Sequence, residues 1–160
     1  MIKIAVDGMG SDNSPFSEIE GTVQAAKAYG VDVILVGKES LLAPLLKEAG
    51  GDGLPIEIRN ATQVIAMDEA PTAALRKKRD SSIRVAADLV REKVASGLVS
   101  AGNTGAVMAI SKMVFGAVPG VENGGTWPVK RVLAELGLGV PGAMFLGSLH
   151  RRWTDNDGTN

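Results

Sequence analysis

Ile2-Lys3-Ile4-Ala5-Val6 runs directly into Asp7-Gly8-Met9-Gly10-Ser11-Asp12-Asn13-Ser14-Pro15. A short apolar run that ends in an acidic residue and a glycine-rich turn reads as a strand buried on both faces, the kind found in parallel sheets covered by helices. The next stretch supplies the helix. Pro15, Ser17, Glu18 and Glu20 are start signals, Ile19, Val23, Ala26 and Tyr29 recur at helical spacing, and Gly30 is the stop.

The alternation then repeats. Val31 to Val36 reads as a second buried strand. Ser40 can cap a helix carrying Leu41, Leu42, Leu45 and Leu46 that Gly50-Gly51 ends, with Pro44 tolerable only in its first turn. Pro55 to Asn60 reads as a third strand, and Ala61 to Ser82 as an irregular segment whose second half is rich in charge. A helix is expected from Ser82 through Ile83, Val85, Ala86, Leu89 and Val90 to Gly97, followed by a short strand, Leu98 to Ser100, and a helix from Ala106 to Phe115. The expected class is therefore α/β, a mostly parallel sheet with helices on both faces and right-handed crossovers.

At 160 residues the chain is the size of one domain, and 45% hydrophobic and 22% charged residues are a globular composition. A formal net charge of −1 gives no global electrostatic reason to expect nucleic acid or a strongly anionic membrane as partner. Without cysteine, disulfides, thiolate catalysis and cysteine-bearing metal sites are excluded. The opening strand lacks signal-peptide features, and no apolar run approaches the roughly eighteen residues of a membrane span, so a cytoplasmic location is expected. Beyond Pro119 the pattern weakens. Glu122 to Pro128 is loop-like, Val129 to Leu136 suggests one helix, and Arg151 to Asn160 is polar. The expected division is an α/β domain over residues 1–120 and an atypical tail over 121–160, whose abrupt change suggests a frameshift, a truncated gene or an alternative C-terminus.

Three polar segments are placed to line the carboxyl edge of such a sheet, where strand-to-helix loops collect ligands. In the first, Asp7 to Pro15, glycines permit a tight path and Asp7 and Asp12 could orient a cationic group, a metal or a substrate hydroxyl; a plain turn with an Asp helix cap fits equally. Asn13 stands where a third glycine would complete a dinucleotide fingerprint. The second, Asp68 to Ser82, places Arg76, Lys77, Lys78 and Arg79 before Asp80-Ser81-Ser82 at a helix start. Cationic side chains and orphan backbone donors together bind phosphate. A solvated basic face and an ordinary cap is the commoner arrangement of such a run. The third, Ser100-Ala101-Gly102-Asn103-Thr104-Gly105, could bring backbone N–H groups and two polar side chains to an anion, or form a tight turn capped by Thr104. It lacks the pattern of a nucleoside-triphosphate loop. His150 is the sole histidine, so neither a zinc site nor a Ser-His-Asp triad is expected, and it reads as a surface residue.

Taken together, Asp7 to Pro15, Met67 to Ser82 and Val99 to Ala106 resemble the bacterial phosphate acyltransferases commonly called PlsX, over roughly residues 1–120. Gly8 and Ser11 stand where the family more often has Ala and Gly, and the family chain is about twice as long. The resemblance implies a fold similar to isocitrate and isopropylmalate dehydrogenases. It implies transfer of a fatty acyl group from acyl-acyl carrier protein to inorganic phosphate, giving acyl phosphate for phospholipid synthesis. It also implies a homodimer with peripheral membrane association and no redox cofactor or metal. On this resemblance Lys78, Asn103 and Thr104 are the expected catalytic residues. Asp7, Asp12, Asp80, Ser81, Ser82, Gly102 and Gly105 are the expected phosphate-binding and loop-holding residues. Two alternatives stand beside it: an inactive remnant that binds an anion or an acyl carrier, and a different enzyme on a related sheet, such as a phosphate acetyltransferase or a nicotinamide-dependent dehydrogenase.

Overall fold

The computed structural model describes residues 2–116. The expected helix from Val129, the tail over 121–160 and His150 lie outside the described residues. Within them the elements alternate: β1 (Lys3–Asp7), α1 (Phe16–Tyr29), β2 (Asp32–Gly37), α2 (Glu39–Glu48), β3 (Ile56–Asn60), α3 (Pro71–Lys77), α4 (Ser82–Arg91), β4 (Gly97–Val99) and α5 (Thr104–Phe115). The four strands form one sheet in the order β3-β2-β1-β4 with every pairing parallel, so the expected α/β class holds.

Register and side-chain alternation divide the core between the two faces. Ala5 pairs with Ile34 and with Leu98, and these pack with Val36, Ala86 and Leu89 beneath α4. Leu35, one residue out of phase, joins Met9, Ile19, Val23, Leu42 and Leu46 beneath α1 and α2. Val33 to Val36 are all at most 3% exposed, which is why β2 reads as an unbroken apolar run. The chain steps from β1 to β2 to β3 with its helices on one face. It then returns past β1 to β4 with α4 on the other, so reversed direction and reversed face keep one crossover hand. The reversal places a topological switch point between the carboxyl ends of β1 and β4, where open parallel sheets bind ligands.

Several boundaries differ from the expectation, each for a local reason. α2 begins at Glu39 because the Asn60 side chain, arriving from β3, accepts the Glu39 N–H at 3.0 Å. Pro44 therefore sits beyond the first turn, where its exposed position lets water reach the Ser40 carbonyl that its ring leaves without a partner. α4 stops at Arg91 rather than near Gly97. Lys93 takes a left-handed φ of 61°, and the Val94 and Ala95 N–H groups return to the Leu89 carbonyl, closing the helix without a glycine. The segment over 61–82 is not irregular throughout. Pro71 starts the two-turn helix α3, whose Ala74 is fully buried. Tyr29, expected on the buried stripe of α1, is 79% exposed in its last residue.

Candidate functional site

Asp7 ends β1 with its side chain 2% exposed, and it reaches sideways to the loop after β4. The Ser100 hydroxyl donates to its Oδ2 at 2.7 Å, and the Met9 backbone N–H donates to its Oδ1 at 3.2 Å. The same Ser100 oxygen accepts the Gly102 N–H at 3.2 Å, so one hydroxyl ties the two loops and shapes the second. The backbones themselves touch. A Cβ on Gly102 would lie 3.0 Å from the Gly10 Cα and carbonyl oxygen, and one on Gly10 would lie 2.4 Å from Asp7 Oδ2. Both positions thus favour glycine, Gly102 because the Gly10 backbone lies against it and Gly10 because the Asp7 carboxylate and the Gly102 backbone do.

Asn103 follows at the start of α5, 9% exposed, and uses its whole amide. Its Oδ1 accepts the Ala106 N–H at 3.0 Å, the bond of a helix cap. Its Nδ2 donates to the carbonyls of Ala66, Met67 and Glu69 at 3.1, 3.1 and 2.8 Å. Thr104 is exposed, so Asn103 rather than Thr104 caps the helix. Gly105 is also exposed and abuts Pro71, whose Cγ would lie 2.7 Å from an added Cβ; this lets α3 pack closely on α5.

Lys78 turns toward the same strap, Val64–Ala70. Its ammonium donates to the Val64 carbonyl at 2.6 Å and pairs with Glu69 Oε2. Glu69 Oε2 also accepts the Ala66 N–H at 3.3 Å. The Lys78 hydrogen bond, the Ala66 N–H and the nearby charges of Lys78 and Lys77 outweigh burial and hold the Glu69 carboxyl below its ordinary value of 4.5. Arg76, Lys77 and Arg79 are exposed, so three members of the basic run form a solvated face and one faces inward.

Asp80 is spent on the neighbouring turn. It accepts the Thr62 hydroxyl and, at 2.8 Å, the Thr62 N–H, and these bonds lower its pKa from 3.8. Ser81 and Ser82, at 0% and 1% exposure, start α4, but the backbone donors expected to be orphans here are paired. The Asp80 N–H donates to the Gln63 side-chain oxygen at 3.0 Å, and the Ser81 and Ser82 N–H groups donate to the Lys78 and Gln63 carbonyls at 3.4 and 3.1 Å. The Ser81 hydroxyl makes no capping bond and is buried without a partner, while Ser82 lines a crevice with Asp7, Gly10, Ile65, Gly102 and Asn103. That crevice has no room for a water molecule. Asp12 is exposed and does not cap α1, whose start at Pro15 has no side-chain cap.

The structure thus brings Asp7, Gly102, Asn103 and Ser82 to one crevice, hangs Lys78 behind the strap, sets Asp80 at the adjoining turn, and leaves Asp12 and Thr104 at the surface. Sequence reasoning gave no role to Ser100 or Glu69, and it expected a tight path at Gly10 without the partner loop that requires it. Ser100 and Asp7 are 93 residues apart, and nothing local announces their bond. Among the described residues no group of three or more His, Asp or Glu side chains is placed to hold a metal ion. Nor is any helix there long and apolar enough to cross a membrane.

An open parallel α/β sheet with close-packed glycine turns and two helix starts at its switch point is of the doubly wound class, in which ligands bind at that edge. Residues 2–129 match the family model described as "Fatty acid synthesis protein", and the chain belongs to that family. It is 54% identical over 122 residues to the phosphate acyltransferase of Koribacter versatilis, covering 76% of this chain and 34% of the relative. With that of Acidobacterium capsulatum it is 53% identical over 120 residues, 74% of this chain and 36% of the relative. With that of Clostridioides difficile the identity is 42% over 121 residues, 76% of this chain and 36% of the relative. The resemblance carried by the three motifs is borne out. The chain spans about a third of the length of these relatives.

Proposed function

We propose that the carboxyl edge at β1, β4 and the starts of α4 and α5 is the phosphate-handling part of an acyl-acyl carrier protein:phosphate acyltransferase. The observation that carries this reading is the family match over residues 2–129, which spans all three loops converging on the switch point, with relatives named phosphate acyltransferase. A phosphate oxygen attacks the thioester carbonyl, the C–S bond breaks, the acyl phosphate anhydride forms, and the proton of the hydrogen phosphate leaves with the thiol. Such a step needs positioning and donors for the developing oxyanion more than it needs a covalent nucleophile. Lys78, Asn103 and Thr104, with the N–H group at Gly105 and the hydroxyls of Ser81 and Ser82, supply donors. Asp7, Asp80 and Gly102 hold the loops that present them, and Asp12 stands at the rim. The whole protein is then a homodimer that meets the acyl carrier in the cytoplasm beside the membrane.

Hydroxylamine trapping of acyl phosphate tests the reading, with the purified chain assayed beside a version extended to the relatives' length. Activity in the extended protein that falls at least about tenfold in Lys78→Ala and Asn103→Ala is the expected result. Full activity in both variants overturns the residue assignment, and no acyl phosphate from the extended protein overturns the reaction. Phosphate binding without turnover by the short chain would favour the second reading, a module that binds the anion. Its coverage of about a third of each relative is what keeps that reading in play.

A further inference from the structure

Lys78 and Asn103 are two of the donors on which the proposed phosphate site draws, and both are already engaged by the strap. The Lys78 ammonium holds the Val64 carbonyl and the Glu69 carboxylate, and the Asn103 amide holds three strap carbonyls. Glu69 is thus an anion of the chain itself, seated on the cation that an incoming anion needs. The crevice beside it, between Asp7, Ile65, Ser82 and Asn103, is closed to water. Lys78 and Glu69 keep 29% and 21% of their side chains exposed, so the pair is within reach of solvent and of a solute. Two anions close to one ammonium repel each other, so a phosphate that takes Lys78 weakens the hold on Glu69.

We propose that Glu69 is an internal competitor for the anion site: its carboxylate occupies Lys78 in the closed strap, and phosphate binding displaces it and frees the turn over 66–69. The inference rests on the phosphate-binding reading and adds to it a residue that sets affinity and couples binding to movement of the strap. Glu69 touches Lys78 and not the reacting atoms, so its role is one of positioning. The exchange of partners is favourable because a phosphate dianion offers more charge and more acceptor oxygens than a carboxylate. The released carboxylate is left at the surface, where water receives it.

Inorganic phosphate titrated into the full chain, followed by calorimetry and by hydrogen exchange of the Ala66 amide, tests this. Glu69→Gln keeps the shape and an acceptor oxygen but removes the charge, and it should tighten phosphate binding by about fivefold, the worth of a partly exposed ion pair. In the unsubstituted chain phosphate should speed exchange of the Ala66 N–H, whose side-chain acceptor is Glu69, and leave the Val107 N–H, inside α5, protected. Equal or weaker phosphate binding by Glu69→Gln, or slower Ala66 exchange in phosphate, overturns the competitor. Absence of phosphate binding in both proteins instead overturns the anion site itself, so the two failures are distinct.

Discussion

Two regions lie at the carboxyl edge of the sheet, a crossing of two loops and a strap, and they are held by opposite means. The crossing of Asp7–Gly10 with Ser100–Gly102 is backbone against backbone, buried, and joined by one hydroxyl. The strap Val64–Ala70 is held by side chains that reach in from elsewhere, an ammonium from beyond α3 and an amide from α5, with charged groups still partly open to water. Close packing resists any change of shape, because interiors have few vacancies to absorb it. Ionic and amide contacts to carbonyls can be traded for contacts to another ligand at small net cost. On the proposed reading, the crossing is the fixed wall of the site and the strap its movable part.

The largest effect is expected where the wall is closest. Gly102→Ala drives a methyl group into the Gly10 backbone, with no flexible side chain to give way, and should lower the free energy of unfolding by about 3 kcal/mol. Chemical denaturation measures it, and a loss under about 0.5 kcal/mol would mean that the two loops separate easily. Asn103→Ala comes next, at about 2 kcal/mol, since it strands the Ala106 N–H and removes the donor shared by three carbonyls. Asn103→Asp sharpens the contrast. It keeps the acceptor for Ala106 but faces the strap carbonyls with oxygen alone, so exchange should rise at the strap amides while α5 stays protected. Uniform loosening of both would show that the strap and the helix are one unit.

Ser100→Ala should cost about 1–2 kcal/mol, because the buried Asp7 side chain loses its 2.7 Å donor, and thermal melting reads it. Acid should produce the smallest and most local change. Glu69 and Asp80 both have pKa values below their ordinary 4.5 and 3.8, so their contributions are complete above those values and fade as the pH falls through the lower, folded ones. Exchange at Ala66 and Thr62, corrected for its intrinsic acid dependence, should be flat from neutral pH down to the ordinary values of 4.5 and 3.8 respectively, and rise only below them. Protection that is already lost above those ordinary values would remove these carboxylates from the account.

Much of the fold was legible because strands buried on both faces and helices with one apolar stripe leave periodic traces in sequence. Val33–Val36 and the stripe of Ile19, Val23 and Ala26 in α1 are examples. The elements misjudged were those settled by distant partners or by an uncommon backbone choice. α3 is too short to announce itself and depends on burying Ala74, α2 takes its cap from Asn60, and α4 ends on a left-handed lysine. At the site, the loop positions of Asp7, Ser82, Gly102 and Asn103 followed from strand ends and helix starts, whereas their bonds did not.

What the sequence determined by itself is the alternation of strand and helix, the class of sheet and the three loops at its carboxyl edge, since each depends on residues near one another in the chain. Tertiary structure alone decided that β4 lies beside β1, that Gly10 meets Gly102, and that one of the four consecutive basic residues, Lys78, turns inward to Glu69. The reason is physical: local pattern encodes which face of an element avoids water, but contacts between loops far apart in sequence arise only when packing the sheet brings their ends within hydrogen-bonding distance.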